Sequence, residues 1–342
     1  MDMDISVTGV AMNVPLSVLD FATRYDGEAP AAALHRCVDL ARRAEAAGYT
    51  RVWYTEHHNM PTVISSSPAI IIGYVASHTS RIRLGAGGVM LPNHSPLVIA
   101  EQFGALAEMY PGRIDLGLGR APGTDSRTLY ALRRDASAYE NFPRDVVELQ
   151  GFLGDASRVP GVAAYPGQGT HVPLIILGSS LFGADLAAQL GLPYSFASHF
   201  APRLLHEAIA HYRENFQPSE ELAKPYVIAA VNVTAAETSE AAAREFERVK
   251  RARVRNMLLR GAPSRDVSDA DLDAVMDSAQ ARQILDMLRY TAVGDAAEVG
   301  DYLQKFARDA QADELMISVQ ATSHEESLAC LELTARGYGL DS

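Results

Sequence analysis

The sequence predicts a single-domain α/β protein, a (β/α)8 TIM barrel with an insertion after the seventh strand. Short β-rich runs alternate with helical stretches, which is the pattern of a parallel sheet with helical crossovers. Eight strand candidates occur within 342 residues, and this number suits a closed barrel better than an open sheet. Because α/β barrels of this length form one domain, we assign residues 1–342 to one unit.

The strand candidates are short runs rich in branched and aromatic residues, at positions 16–21, 51–55, 82–87, 113–118, 173–177, 194–197, 226–232 and 314–318. Helical periodicity separates them, most clearly at 31–47, 97–109 and 182–190. Gly48, Gly112 and Gly191 lie just beyond these three helices. Glycine after the last periodic residue is a common helix stop, so the helix ends support the strand assignment.

The span from about 234 to 312 is too long for one helical crossover and must contain an insertion. Gly, Pro, Ser and Asp cluster at 261–281 within it. We expect the segment at about 261–287 to close over the barrel mouth as a lid.

Composition and charge exclude several classes of protein. A hydrophobic fraction of 48% and a charged fraction of 21% are ordinary for a globular chain, and no apolar run approaches the ~20 residues of a membrane span. A net charge of −12 argues against nucleic acid as the main partner. The N-terminus lacks a signal-peptide pattern, and Cys37 and Cys330 are expected to be buried thiols. We therefore expect a cytoplasmic protein.

One predicted helix is locally basic. Four arginines recur at helical spacing, with Lys250 and Arg253 beside them: Arg244, Arg248, Arg251 and Arg255. Such a strip is either an ordinary solvated helix face or a docking surface for an acidic partner.

In a (β/α)8 barrel, the carboxyl ends of the strands and the loops after them form the active face. Residues with distinctive chemistry follow strands two to six of this chain: His57, His58, Gly87, Gly88, Arg120, Ser179, Ser180, Ser198 and His199. Their common position predicts one composite site.

Glu56-His57-His58 invites a metal interpretation. Neighbouring side chains of an extended segment point to opposite sides, so adjacent histidines rarely bind one ion, and we predict no metal. A single His57 acting as a base or hydrogen-bond donor fits better, because imidazole titrates near neutrality. The alternative is a histidine that only fills the pocket wall.

Two glycine-rich runs, Gly85-Ala86-Gly87-Gly88 and Gly117-Leu118-Gly119, invite a dinucleotide interpretation. Neither run opens a helix as the Rossmann fingerprint requires, so we reject it. Paired glycines at a strand end instead permit close approach of a flat ligand or unusual peptide geometry.

Gly178-Ser179-Ser180 follows an apolar strand and precedes a helix. Serines at a helix amino end form a ready phosphate site, although simple N-capping explains them equally well. Arg120 after the neighbouring strand favours phosphate, because a guanidinium binds it in a bidentate manner.

Four runs, taken together, resemble the bacterial-luciferase-like flavin monooxygenases, in particular the non-luminescent group: RVWYTEHHNMP, RLGAGGVMLPNHSPLVIAEQF, YPGRIDLGLGRAPG and LGSSLFGADLAAQLGLPYSFASHF. They follow the family's order, and the likeness extends from about residue 16 to residue 336. The resemblance implies reduced FMN as cofactor and O2 activation as a C4a-hydroperoxyflavin that oxygenates a small organic substrate. It also implies a separate NAD(P)H:flavin reductase, and we expect a homodimer. A secondary metabolite such as an aromatic polyketide is one candidate substrate.

The resemblance also implies roles for individual residues. His57 matches the family's catalytic histidine, and Arg120 matches the arginine that grips the flavin phosphate. The phosphate-binding turn and the small pair whose non-prolyl cis peptide lies against the isoalloxazine ring complete the cofactor set: Ser179, Ser180, Gly183, Gly87 and Gly88. The expected substrate pocket consists of Asp20, His58, Ser198 and His199.

The chain departs from the luciferases at one position. Gly119 stands where they carry a reactive cysteine, which argues against light emission and a long-chain aldehyde substrate. Three other functions remain open: a deazaflavin-dependent dehydrogenase of the same fold, a non-catalytic flavin-binding protein and a metallohydrolase. Deazaflavin binding, absence of turnover and stoichiometric zinc, respectively, would distinguish them.

Overall fold

The structure is a computed structural model that describes residues 13–25, 27–121, 124–135, 137–258 and 268–340. Within those ranges the chain forms nine strands, all of them paired in parallel. Their bounds are Leu16–Asp20 (β1), Arg51–Tyr54 (β2), Arg83–Met90 (β3), Ile114–Gly119 (β4), Leu174–Gly178 (β5), Tyr194–Phe196 (β6), Val227–Ala235 (β7), Thr291–Gly294 (β8) and Glu314–Val319 (β9).

Eight of these strands close a ring. The order runs from β1 to β7 and then through β9 back to β1, and the β6–β7 pairing completes the barrel. The predicted (β/α)8 barrel is thereby confirmed, since each of the eight predicted strands corresponds to a strand of the ring. β8 lies outside the ring and pairs only with the carboxyl half of β7, where Asn232 faces Thr291.

The helices lie between the strands as the periodicity predicts, with the further helices of the insertion between β7 and β8. Within the described ranges their bounds are Pro30–Ala46 (α1), Pro68–Ala76 (α2), Pro96–Met109 (α3), Ser126–Ala131 (α4), Ser137–Glu140 (α5), Phe142–Leu153 (α6), Leu181–Leu190 (α7), Leu205–Asn215 (α8), Ser239–Leu258 (α9), Asp269–Met276 (α10), Ala279–Asp286 (α11), Ala296–Asp309 (α12) and His324–Tyr338 (α13). Gly191 has a φ of 63° and ends α7 in the left-handed conformation that the sequence suggests.

The insertion after β7 consists of α9, α10, α11 and β8. A small apolar cluster of Val254, Leu272, Ala281 and Ile284 packs α10 and α11 against α9. Residues 261–267 of the expected lid lie outside the described residues, so the lid remains a prediction.

A buried ion network lies at the amino ends of the strands, opposite the predicted active face. The carboxylate of Asp115 accepts a hydrogen bond from Arg51 Nη1 at 2.8 Å and also pairs with Arg83. The Glu314 carboxylate accepts from Arg51 Nη2 at 3.1 Å and from the Tyr226 hydroxyl at 2.8 Å. Both carboxylates are fully buried, so these pairs hold the charges together inside the barrel.

Cys37 and Cys330 are buried free thiols, as the sequence predicts. Within the described ranges, every helix is too short or too polar to traverse a bilayer.

Candidate active site

The carboxyl ends of the ring strands bring the predicted residues to one mouth of the barrel. Parallel strands end on the same side, so the segments after β1, β2, β4, β5 and β6 meet there. The side chains and glycines assembled in this way are Asp20, His57, His58, Gly87, Gly88, Arg120, Ser179, Ser180, Gly183, Ser198 and His199.

β3 runs through the glycine pair rather than ending before it. The Gly87–Gly88 peptide is cis, and the register between β3 and β4 shifts at this pair. Neither glycine has room for a side chain. A Cβ on Gly87 would lie 2.8 Å from Leu19 Cδ1, and one on Gly88 would lie 2.6 Å from the Gly117 carbonyl oxygen. The cis geometry that the resemblance implies is confirmed, whereas contact with a flavin remains a prediction.

Arg120 lies beside the turn after β5 and the start of α7, and we call Arg120, Ser179 and Ser180 the cradle. Ser180 directly precedes α7, but its side chain makes no capping hydrogen bond. The Arg120 Cζ atom lies 3.8 Å from the centre of the Phe182 ring, in the first turn of α7. The guanidinium therefore lies beside a helix amino end that carries two serine hydroxyls, and this combination favours a phosphate.

Gly183 lets α7 pack closely against β5. A Cβ at this position would lie 3.3 Å from the Gly178 Cα and 3.4 Å from the Tyr194 ring. The Tyr194 hydroxyl donates to the Ser180 carbonyl at 3.2 Å and so fixes the same turn. These contacts position the cradle even though the role of Gly183 toward a cofactor remains a prediction.

Glu56 organises the segment after β2. Its carboxylate is fully buried, and its Oε1 atom accepts from His58 Nε2 at 2.9 Å and from His94 Nε2 at 2.8 Å. Its Oε2 atom accepts from the Met90 N–H at 3.0 Å. Although burial opposes ionisation, the hydrogen bonds from the two histidines and the main chain outweigh it and lower the pKa of Glu56 to about 2. Glu56 thus fixes His58 and ties β2 to the end of β3.

His57 and His58 contact different residues. The His57 Nδ1 atom lies 3.1 Å from the Thr55 hydroxyl, and its ring stacks on Phe21 with centroids 5.8 Å apart. Phe21 also contacts His199, and their ring centroids are 6.0 Å apart. Burial, aided by the charges of Arg253 and His57, lowers the pKa of His199 to about 3, so this imidazole is neutral at pH 7.

The remaining predicted pocket residues make local contacts. The Asp20 carboxylate accepts the Ala22 N–H at 2.8 Å, and burial raises the pKa of Asp20. Ser198 is fully buried and donates its hydroxyl proton to the Ala230 carbonyl. Their roles toward a substrate remain predictions, and the geometry lends more support to His57 and His199.

A cavity of about 860 Å³ opens beside the cradle. Ser179 forms one part of its wall, Phe200 and Arg203 follow β6, and Arg282 and Met287 come from the insertion. This volume is large enough for a sizeable organic ligand, and such a ligand would contact both the phosphate cradle and α11.

Sequence reasoning missed several residues of this site. Glu56 was considered only as part of a metal motif, and His94 and Phe21 were not singled out at all. The hydrogen bond between His94 and Glu56 joins residues that are 38 positions apart in the sequence, so no local sequence pattern indicates it. In the described part of the chain, no group of three or more His, Cys, Asp or Glu is arranged to hold a metal ion.

A family model described as luciferase-like monooxygenase matches residues 15–314 of the sequence. The chain belongs to the luciferase-like monooxygenase family. It is 45% identical to a luciferase-like monooxygenase of Escherichia coli (strain K12) over 322 residues, which is 94% of this chain and 96% of the relative. The apo structure of MsnO8 superimposes with a TM-score of 0.84 at 34% identity, covering 96% of this chain and 99% of MsnO8.

Two more distant structures share the fold of this luciferase-like monooxygenase at 16% identity and a TM-score of 0.66. One is the oxygenating constituent of 3,6-diketocamphane monooxygenase from Pseudomonas putida in complex with FMN, covering 95% of this chain and 98% of that chain. The other is an F420-dependent secondary alcohol dehydrogenase, covering 94% and 98%. The fold therefore occurs with both FMN and F420.

The cradle of this luciferase-like monooxygenase offers hydrogen-bond donors that the described residues do not use. Among the described residues Arg120 has no carboxylate partner, and its guanidinium contacts only an aromatic ring. Because the Ser180 hydroxyl does not cap α7, it is available to a bound anion.

Proposed function

We propose that the protein is an FMN-dependent monooxygenase that uses reduced FMN and O2 to oxygenate a small organic substrate. The observation that carries the proposal is the cradle of Arg120, Ser179 and Ser180 at the start of α7, at the same barrel mouth as His57. Membership of the luciferase-like monooxygenase family supports the oxygenase chemistry. The substrate belongs among small organic molecules, and an aromatic polyketide remains a prediction.

Each part of the site has a distinct task in this proposal. Reduced FMN supplies the electrons that activate O2. Arg120, Ser179 and Ser180 bind the phosphate, which fixes the position of the ring system without taking part in the reaction. Gly87 and Gly88 carry no side chain, so the barrel wall is flat at this pair. Their close neighbours leave no space for a side chain at either position. His57 holds or accepts a proton beside the reacting atoms, and Phe21 keeps water from its face.

The phosphate assignment is tested by Arg120→Ala. Loss of a charge-assisted hydrogen bond to the bound anion should weaken reduced FMN by about 2–3 kcal/mol, measured by anaerobic calorimetric titration. Arg127→Ala is the matched control, because Arg127 is an exposed arginine of α4 and its removal changes the net charge equally. Unchanged FMN affinity in Arg120→Ala would show that the phosphate binds elsewhere.

A deazaflavin-dependent dehydrogenase is the second candidate, because the F420-dependent secondary alcohol dehydrogenase shares this fold. The cradle suits the phosphate of either cofactor, so the ring system and not the phosphate distinguishes them. Hydride transfer to F420 without consumption of O2 would favour the dehydrogenase. A flavin-binding protein without activity would bind reduced FMN and yield no oxygenated product.

We also propose a separate NAD(P)H:flavin reductase as partner, a homodimeric assembly and closure of the segment at 261–287 over the mouth. Ile70 and Val98 are exposed apolar residues near the amino ends of the adjacent helices α2 and α3, which gives a dimer an apolar surface to bury. The cytoplasm is the compartment that would supply the reductase and NAD(P)H.

A further inference from the structure

Arg253 differs from the other basic residues of its helix. Arg248 pairs with Glu326, Lys250 with Glu247 and Arg251 with Asp273. These ion pairs fit a solvated helix face rather than a docking strip for an acidic partner.

The Arg253 side chain is partly buried, and its one hydrogen bond within the described chain runs from Nη2 to Gln320 Oε1 at 3.0 Å. No carboxylate of the described residues forms an ion pair with it. Removal from water lowers the pKa of Arg253, and no neighbouring anion offsets that effect. A partly buried cation with a single neutral acceptor retains several N–H donors for an anion that the described residues do not supply.

Two buried polar atoms without hydrogen-bond partners lie in the same part of the barrel: His199 Nδ1 and Asn232 Oδ1. His199 is 5% exposed and Asn232 is fully buried. Asn232 Nδ2 donates to the His199 carbonyl at 2.7 Å, which joins the two residues, and the charge of Arg253 reaches His199. Buried polar atoms are nearly always satisfied in native proteins. With its proton on Nδ1, the neutral His199 ring can donate to an anion, whereas Asn232 Oδ1 is an acceptor and needs a donor such as water.

The position of this group separates it from the phosphate cradle. Gln320 follows β9, and Arg120 follows β4. In the eight-strand ring these strands are four places apart, so they stand on opposite walls of the barrel. Phe21 contacts both His199 and His57, which places the group next to the reaction site. Arg253 is thus placed to meet the substrate rather than the flavin phosphate.

We propose that Arg253, His199 and Asn232 form a substrate subsite that binds the carboxylate of an organic acid. Arg253 supplies the cation and a bidentate pair of donors, and Gln320 orients its guanidinium. The neutral His199 ring completes the subsite by donating its Nδ1 proton, and Asn232 Nδ2 holds the His199 backbone in place. The inference rests on the proposed monooxygenase function and deepens it by naming the substrate class.

The test compares carboxylates with their neutral amides on the full-length protein. Benzoate, hexanoate and 4-phenylbutyrate are each titrated against the corresponding primary amide by calorimetry, in the presence of FMN. The wild type should bind at least one carboxylate about tenfold or more tightly than its amide. Arg253→Gln should abolish this preference, and Arg253→Lys should retain part of it because the charge remains.

Lys250→Gln is the matched control, because Lys250 lies on the same helix and its removal changes the net charge equally. It should keep the full preference. The proposal is overturned if the wild type prefers none of the three carboxylates, or if Lys250→Gln loses the preference as Arg253→Gln does. FMN affinity is measured on every variant. A loss of FMN affinity in Arg253→Gln would assign Arg253 to the cofactor and also overturn the subsite.

The same titrations separate this inference from the proposed function. If Arg120→Ala leaves FMN binding unchanged while Arg253→Gln abolishes the carboxylate preference, the FMN assignment fails and the subsite stands. If FMN binding depends on Arg120 and no carboxylate preference exists, the subsite fails and the cofactor assignment stands.

Discussion

Replacing Glu56 with glutamine should destabilise the protein in a pH-dependent way. The carboxylate is fully buried and accepts hydrogen bonds from His58, His94 and the Met90 N–H. Lowering its pKa from 4.5 to about 2 corresponds to about 3 kcal/mol of unfolding free energy at neutral pH. Glutamine has the same shape as glutamate, but its side-chain NH2 group would face one of the N–H donors from which the carboxylate accepts a hydrogen bond. We therefore expect a loss of about 2–4 kcal/mol at pH 7.

The sign of the pH dependence follows from the lowered pKa of Glu56. The ionised carboxylate contributes its full stabilisation above pH 4.5, its value in the unfolded chain, and loses it as the pH falls toward about 2. The difference between wild type and Glu56→Gln should thus be constant from pH 7 to pH 5 and shrink below pH 4.5. Urea unfolding followed by circular dichroism at pH 7, 5, 4 and 3 measures it.

Glu108→Gln serves as the matched control, because Glu108 is an exposed carboxylate on α3. This variant should unfold like the wild type at every pH. A Glu56→Gln loss that is the same at pH 3 as at pH 7 would refute the charge-based account. Unchanged stability at pH 7 would refute the network itself.

Two further variants test the site and the barrel. His57→Ala should bind reduced FMN almost normally but lose substrate oxygenation by ~10²-fold or more and release hydrogen peroxide instead, whereas His58→Ala should lose less. Equal, modest losses in both, seen by product analysis and peroxide assay, would leave His57 a structural residue. Asp115→Ala should cost about 3–5 kcal/mol in urea unfolding because it removes the buried carboxylate that pairs with the half-buried Arg51 and Arg83. Asp309→Ala, at an exposed pair with Lys305, should change nothing measurable, and equal effects would contradict the role of burial.

The strands of the ring could be predicted because each is a run of apolar residues followed by a turn. β8 could not, because Thr291–Gly294 is only four residues long and pairs solely with the extended carboxyl half of β7. The insertion was located by its loop-forming composition. Its helix α9 is the predicted basic helix, whereas α10 and α11 were missed because Ser268 and Ser278, which cap them, also fit a loop.

The candidate site was predictable where topology alone determines position. Strand ends of a parallel barrel meet at one mouth, so His57, Arg120 and Ser180 had to come together. The neutral state of His199 depends on burial, and the hydrogen-bond partner of Arg253 among the described residues is Gln320, 67 positions away. Such contacts exist only once the chain is folded.

The proposed function requires that the protein bind reduced FMN, in preference to reduced F420, for reaction with O2. Anaerobic titration of the wild type with reduced FMN and, separately, with reduced F420 tests it most directly. We predict a dissociation constant for reduced FMN at least about tenfold below that for reduced F420. Tighter binding of F420, with no measurable binding of reduced FMN, would contradict the account.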